Sequence, residues 1–214
     1  MILHVGLTGG LASGKSTVSR TLAALGCVTI DTDAVVARLY RPGAAGHEAL
    51  VRVYGRDILR PDGEIDRQKV AAIAFANDEE AKKLNGLIHP LVLAEQDRIM
   101  AAETARFPDR DRIFVVEATL LLESGAKQRS DKIVVVDADP STQIERAVKR
   151  GMDRADAERR LARQMRREER LKMADYVIDN SGDPRRTEIE THRVFESLRR
   201  DLDEKKAATL RPAT

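Results

Sequence analysis

Apolar and polar positions change period several times along this chain, and each change predicts an element. Ile2 to Leu7 form a short apolar run that ends at Thr8-Gly9-Gly10, the pattern of a buried strand. From Ser16 to Leu25, Val18, Leu22 and Leu25 recur at helical spacing, and Gly26 supplies a C-terminal stop. Val28-Thr29-Ile30 reads as a second strand, and Asp31-Thr32-Asp33 then opens a helix through about Tyr40. Strand, Gly-rich turn, helix and strand make a βαβ unit, which predicts a parallel sheet.

The texture changes at Arg41. Pro42-Gly43 breaks the chain, and Arg60-Pro-Asp-Gly63 predicts a turn. Asp66 is placed to cap a helix over the periodic stretch Val70 to Phe75, and another helix opens near Asn77-Asp-Glu-Glu80, where acidic residues complement the helix dipole. His89-Pro90 predicts an extended residue before the long amphipathic stretch Leu91 to Thr104. Residues 41–111 therefore read as a helical insertion. Strands return at Ile113 to Glu117 and Lys132 to Asp137, and Asp139-Pro140 starts the next helix with an N-cap followed by Pro at the first helical position. Tyr176 to Asp179 is a last strand, and Asp183-Pro184 caps a final helix through about Leu202. The segment from Asp203 is expected to fray. The resulting division is a core of 1–40 with 112–145 and 173–202, the insertion 41–111, an Arg-rich segment 146–172 and a flexible tail 203–214.

At 214 residues, 42% hydrophobic and 34% charged, the composition is that of a soluble globular chain. Lys and Arg number 37 against 35 Asp and Glu, a net charge of +2, and aromatic residues are 3% with no Trp. A nucleic-acid binder would need a strong basic field or stacking platforms, and neither is expected here. Cys27 is the one cysteine, so no internal disulfide and no Cys-rich zinc site can form. The start, Met1-Ile-Leu-His-Val-Gly6, lacks the basic and apolar regions of a signal peptide, and no apolar run is long enough to span a membrane. A cytoplasmic location is expected, with no membrane partner.

Gly9-Gly-Leu-Ala-Ser-Gly14-Lys15-Ser16 fits the pattern G-x-x-x-x-G-K-[ST] and falls where that pattern has a mechanism, between a strand and a helix. Its glycines let backbone N–H groups from Gly10, Ala12, Ser13 and Gly14 through Thr17 turn toward phosphate oxygens, with the helix N-terminus adding positive potential. Lys15 is placed to bridge the β- and γ-phosphates of ATP and Ser16 to ligate Mg²⁺. The chain contains no Asn-Lys-x-Asp guanine signature, which argues against a GTPase, and a small-molecule kinase is the expectation.

Such a kinase needs a carboxylate to take the proton of its acceptor hydroxyl. Asp31 and Asp33 follow the second strand; Asp33 is the preferred base, and the alternative is that either residue caps the helix opening at Ala34. Glu117, ending the third strand, is placed to hold magnesium-bound water, and Glu123 is a second candidate. Arg159, Arg163, Arg166 and Arg170 have the spacing of one helix face. They form either a solvated, ion-paired surface or a lid whose guanidiniums spread the charge of a transferring phosphoryl group. His89 is a possible substrate contact or a structural residue; His4, His47 and His192 are given no role.

Gly6 to Thr17 resembles the N-terminal signature of dephospho-CoA kinases, Asp31-Thr-Asp33 their Asp-x-Asp element and Ile88-His-Pro90 their His-Pro element. Gln143, Arg146, Arg150, Arg160 and Gln164 resemble the family's lid pattern, and Ala174-Asp-Tyr-Val-Ile-Asp-Asn180-Ser-Gly its final strand and loop. The resemblance runs from residue 6 to about 182. It implies an α/β three-layer P-loop kinase fold with a parallel sheet, a helical domain for the coenzyme precursor and a helical lid. It implies transfer of the γ-phosphoryl of ATP to the ribose 3′-hydroxyl of dephospho-CoA with Mg²⁺, forming coenzyme A in the last step of its synthesis. Asp33, Lys15 and Arg150 would be catalytic. Arg146, Arg150 and Asn180 would join the phosphate loop around ATP, and Asp33, His89, Glu117 and Leu120 would face the acceptor. Thr119 and Leu122 stand where the family often has Pro and Phe, a departure in the acceptor pocket. A monomer or weak homo-oligomer is expected. The alternatives are a kinase for another small acceptor, such as a nucleotide or a shikimate-like metabolite, and a non-catalytic nucleotide- or nucleic-acid-binding module.

Overall fold

In the computed structural model, which describes residues 1–123 and 126–210, the chain forms an α/β fold on a five-stranded sheet. In chain order the elements are β1 (Ile2–Gly9), α1 (Lys15–Ala24), β2 (Val28–Asp31), α2 (Thr32–Leu39), α3 (Ala45–Tyr54), α4 (Arg67–Ala76) and α5 (Asp78–Arg106). They continue with β3 (Arg112–Glu117), β4 (Lys132–Asp137), α6 (Pro140–Lys149), α7 (Arg154–Arg163), α8 (Arg167–Lys172), β5 (Tyr176–Asp179) and α9 (Pro184–Leu210).

Strand order is β2-β3-β1-β4-β5. β1 pairs in parallel with β3, Leu7 opposite Glu117, and with β4, Gly9 opposite Val136; β4 pairs in parallel with β5, Asp137 opposite Asp179. A central parallel strand is covered on both faces, which is why β1 and β4 are near-continuous apolar runs rather than alternating ones. The alternation survives in where the side chains go. Leu3, Val5, Leu7, Val134 and Val136 join Val18 and Leu22 of α1 and Val194, Leu198 and Leu202 of α9 in one core. Ile133 and Val135 point the other way, to Leu121, Leu122, Met165 and Leu171. Gly6 permits that second layer to close, since a Cβ there would stand 2.9 Å from both Ile133 Cδ1 and Leu121 Cδ1.

Two compact units divide the chain: Asp31–Pro108 in one, and Met1–Ile30 with the chain from Asp109 onward in the other. The first is helical. Asp66 caps α4 by accepting from Gln68 and Lys69 N–H, and Asn77 caps α5 by accepting from Glu80 N–H, both at the expected places. The Arg60–Gly63 turn closes through Gly63 N–H to Arg60 C=O at 3.0 Å, with an isolated antiparallel bridge between Leu59 and Ile65. Helix α3 had no counterpart among the sequence expectations. Its cap, Ala44, makes no side-chain hydrogen bond, so the usual start signal is missing.

Several local expectations are corrected. His89 is helical, not extended, and the stretches expected on either side of it are one helix, α5, with Pro90 inside. The bias of a residue before proline is a preference, and a stripe of Leu84, Ile88, Val92 and Gln96 at four-residue intervals buries α5 across the proline. Arg159, Arg163, Arg166 and Arg170 do not share a face, because the helix ends at Arg163 and Gln164 adopts an extended conformation (φ −80°, ψ 160°) before α8. Asp139 precedes α6 without bonding its N-terminus through the side chain. The expected frayed tail is helical as far as Leu210; the rest of it, 211–214, lies outside the described residues. Ion pairs hold it down: Lys205 to Asp131 and Lys206 to Asp111, each at 2.6 Å, beside the amino ends of β4 and β3.

Candidate active site

The loop between β1 and α1 is a sharp, backbone-rich turn. Ser13 N–H bonds Gly10 C=O at 3.2 Å, and the turn that this closes puts Ala12 at φ 51°, the one non-glycine residue with positive φ among those described. A left-handed alanine costs roughly 1–2 kcal/mol, and strain of that kind concentrates at functional loops. Gly14 (φ 98°) is the N-cap of α1, and no acidic side chain occupies the helix's first turn, so the positive end of its dipole is uncompensated there. Lys15 Nζ lies 3.1 Å from Gly9 C=O and 3.3 Å from Gly10 C=O, folded along the loop, with Ser16 and Thr17 exposed beside it. A helix N-terminus and a lysine on one tight turn are the ingredients of an anion site.

Other elements of the same unit wall the loop in. A Cβ on Gly14 would overlap Asn180 Nδ2, and Asn180, buried after β5, donates to Ser13 C=O at 2.6 Å while accepting from Thr187 Oγ1 at 2.8 Å. Asn180 thus meets the loop itself, its amide already engaged there. A Cβ on Gly10 would overlap Gln143 Oε1 and come within 3.1 Å of Arg170 Nη1. Gln164 accepts from Leu11 N–H at 2.9 Å. The glycines at 10 and 14 are needed because neighbouring amides, not water, fill the space a side chain would take.

A cleft of about 460 Å³ opens beside this loop, lined by Leu11, Ala12, Arg150, Met152, Asp156 and Arg160 among others. Arg150 is exposed at the C-cap of α6, and Arg146, one turn earlier, is half-buried. Ser13 Oγ, Gln143 Oε1 and Arg146 Nη1 are buried without a hydrogen-bond partner, a concentration of unmet polar atoms around the loop that suits a polar ligand. Sequence reasoning passed over Asp137, at the carboxyl end of β4, although it carries the same signal as Glu117: a carboxylate closing an apolar strand. It is gripped by Arg167, with Nη2–Oδ2 at 2.6 Å and Nε within 3.1 Å of both oxygens, and that clasp holds the Arg167 guanidinium above its ordinary pKa. Arg170 is 4% exposed and donates to Met165 C=O at 2.8 Å; burial lowers its pKa, opposed by the Glu123 and Asp137 carboxylates.

The remaining sequence candidates are distributed as follows. Asp31 is the N-cap of α2, accepting from Ala34 N–H at 3.1 Å, while Asp33 lies exposed in the helix's first turn. The capping alternative thus falls to Asp31. Thr32, between them, accepts from the buried Gln96 of α5 at 3.1 Å. His89 is half-buried on α5. Glu117 is half-buried at the end of β3, and Leu120 is 53% exposed in the following turn. Glu123 accepts from Met165 N–H at 3.0 Å, a structural use of that carboxylate. No cluster of three or more His, Cys, Asp or Glu side chains able to hold a metal exists among the described residues. The Ser16 hydroxyl, exposed at the loop, is an oxygen donor of the kind Mg²⁺ accepts alongside water and phosphate oxygens.

A model of the dephospho-CoA kinase family matches residues 3–185. Dephospho-CoA kinases of Aquifex aeolicus (40% identical; 92% of this chain and 98% of that one) and Geobacter metallireducens (44% identical; 95% and 98%) align over nearly the whole sequence. Among solved structures, a protein of Thermus thermophilus superposes with a TM-score of 0.78 at 28% identity (91% of this chain, 96% of that one). The dephospho-CoA kinase of Campylobacter jejuni does so with 0.63 at 28% (92% and 98%). A shikimate kinase of Acinetobacter baumannii, 13% identical with a TM-score of 0.53 over 94% of this chain and 95% of its own, shares the fold alone. Sequence likeness extends well beyond the phosphate loop, through the helical unit to the Asn180 loop, and on that breadth the chain belongs to the dephospho-CoA kinase family.

Proposed function

We propose that this protein transfers the γ-phosphoryl group of ATP to the ribose 3′-hydroxyl of dephospho-CoA, giving coenzyme A and ADP. The observation that carries this reading is the walled phosphate loop on a chain of this family. Lys15 and the loop amides bind the β- and γ-phosphates, with Gly10, Ala12, Ser13, Gly14, Ser16 and Thr17 forming the cradle and Asn180 holding its shape. Asp33 accepts the proton of the 3′-hydroxyl as that oxygen forms its bond to the γ-phosphorus. The bond from phosphorus to the β,γ-bridging oxygen breaks, and ADP leaves with the electron pair. Arg150, with Arg146, steadies the charge on the equatorial oxygens, where planar guanidiniums spread it best. Mg²⁺, when bound with ATP, would neutralise the β- and γ-oxygens, and Ser16 is the residue that would hold it.

Within this reading, residues 41–111 receive the coenzyme precursor, with His89, Glu117 and Leu120 facing it, and 146–172 act as the lid that excludes water. A coupled assay for ADP with ATP, Mg²⁺ and dephospho-CoA tests the proposal. Turnover that needs dephospho-CoA supports it; wild-type protein that turns over another small alcohol and leaves dephospho-CoA untouched overturns it.

A further inference from the structure

The phosphate loop's own glycines do not explain why it keeps its strained turn. Two outside side chains grip it. Asn180 takes the Ser13 carbonyl at the side of the loop that leads into α1. Gln164 takes the Leu11 N–H at the other side, immediately before left-handed Ala12.

Gln164 is unlike Asn180 in where it stands. It is the residue at which α7 stops, and the next residue is pinned on both sides: Met165 N–H to Glu123 at 3.0 Å, and Met165 C=O to buried Arg170 at 2.8 Å. The break between α7 and α8 is therefore a fixed post, and α7 leads away from it with Asp156 and Arg160 lining the same cleft as Leu11 and Ala12. Any displacement of the foot of α7 carries the Gln164 oxygen with it and breaks its bond to the partly buried Leu11 N–H.

We propose that Gln164 is a positioning residue for phosphoryl transfer: it ties the strained turn of the phosphate loop to the foot of α7, so that loop order and helix placement are set together. The inference rests on the proposed function and deepens it. The Gln164 side-chain oxygen is engaged by the loop backbone. It acts through the Leu11 amide, by holding the cradle in the shape the polyphosphate fits before ATP arrives.

The test compares wild-type protein with Gln164→Leu, which loses the acceptor, and Gln164→Glu, which keeps an oxygen for Leu11. Amide hydrogen exchange of Leu11, the Mg·ATP dissociation constant from calorimetry, and separate KM values for ATP and dephospho-CoA are read. Loss of one partly buried hydrogen bond predicts, for Gln164→Leu, faster Leu11 exchange and about three- to tenfold weaker Mg·ATP binding, with the KM for dephospho-CoA unchanged. Gln164→Glu keeps Leu11 protected. If Gln164→Leu proves unfolded, Gln164→Asn, one methylene short of Leu11, takes its place with the same expectations. Wild-type Leu11 exchange and ATP affinity in the loss variant overturn the inference, as does loss of Leu11 protection in Gln164→Glu. Should wild-type protein itself bind no Mg·ATP, the kinase reading falls and this inference with it; unchanged binding in the variant alone removes only the role of Gln164.

Discussion

Asp31 and Asp33 show how two identical side chains, two residues apart, come to differ. Asp31 accepts the Ala34 N–H and is consumed as a helix cap; Asp33 sits one position into the helix, exposed. With Asp33 as the proposed base, Asp33→Asn, which keeps the shape and removes the carboxylate, should lower kcat by about 10²- to 10⁴-fold while Mg·ATP binding measured by calorimetry stays near wild type. Turnover close to wild type would assign the base elsewhere. Cys27 makes the opposite case. Burial pushes its thiol up to about 12, so the reactive thiolate is scarce at any ordinary pH. Mass spectrometry after iodoacetamide treatment at pH 8 should find the native protein unlabelled and the urea-unfolded protein labelled.

At the scale of elements, β5 and α9 are joined through Asn180 to the loop between β1 and α1. Asn180→Ala strands the Ser13 carbonyl in a buried position, a cost of about 1–3 kcal/mol, and leaves the Thr187 hydroxyl only its longer bond to the Asp179 carbonyl. It should lower the melting temperature and weaken ATP binding together, a joint loss that calorimetry with and without Mg·ATP would detect. The last turns of α9 depend on charge. Burial disfavours the Asp131 carboxylate, yet the Lys205 ammonium and the His4 N–H outweigh it and hold its pKa below the ordinary 3.8. Hydrogen bonds from Lys206 and the terminal amine do the same for Asp111. Because these folded-state values are depressed, the stability they contribute is fully present above the pKa of an unfolded aspartate and is lost as pH falls through the folded values. A melting temperature that declines on acidification below pH 3.8, with a smaller decline in Lys205→Ala, is the expected result.

For the whole molecule, a ligand that binds only the folded state stabilises it by mass action. Mg·ATP at a hundredfold excess over its dissociation constant should add about 2.7 kcal/mol, a rise of roughly 5–10 °C in melting temperature for a chain of this size. Lys15→Ala should abolish both that shift and turnover, since the proposed phosphate cradle would lose its ammonium. A preserved shift in that variant would move the nucleotide away from the cradle. The two compact units, Asp31–Pro108 and the rest, make a second transition in the melt an expected feature, and the Mg·ATP shift should fall on the transition of the unit that contains the loop.

Beyond the parallel sheet, the helical insertion and the family resemblance, what the sequence made legible was local. The apolar runs of β1 and β4, the caps Asp66 and Asn77 and the glycines of the phosphate loop are decided within a few residues, by side-chain period, by orphan N–H groups and by backbone sterics. What the tertiary structure alone decided are the meetings of residues far apart in the chain: Gln164 with Leu11, Asn180 with Ser13, Arg167 with Asp137, Lys205 with Asp131. The strand order β2-β3-β1-β4-β5 sets β1 beside β4 in parallel and brings the loops after both to one edge. Packing and long-range pairs overrode local preference where the two disagreed: a buried stripe carries α5 through Pro90, and ion pairs accompany α9 as it stays wound to Leu210. A pattern of single residues cannot encode such choices, because their energies belong to pairs.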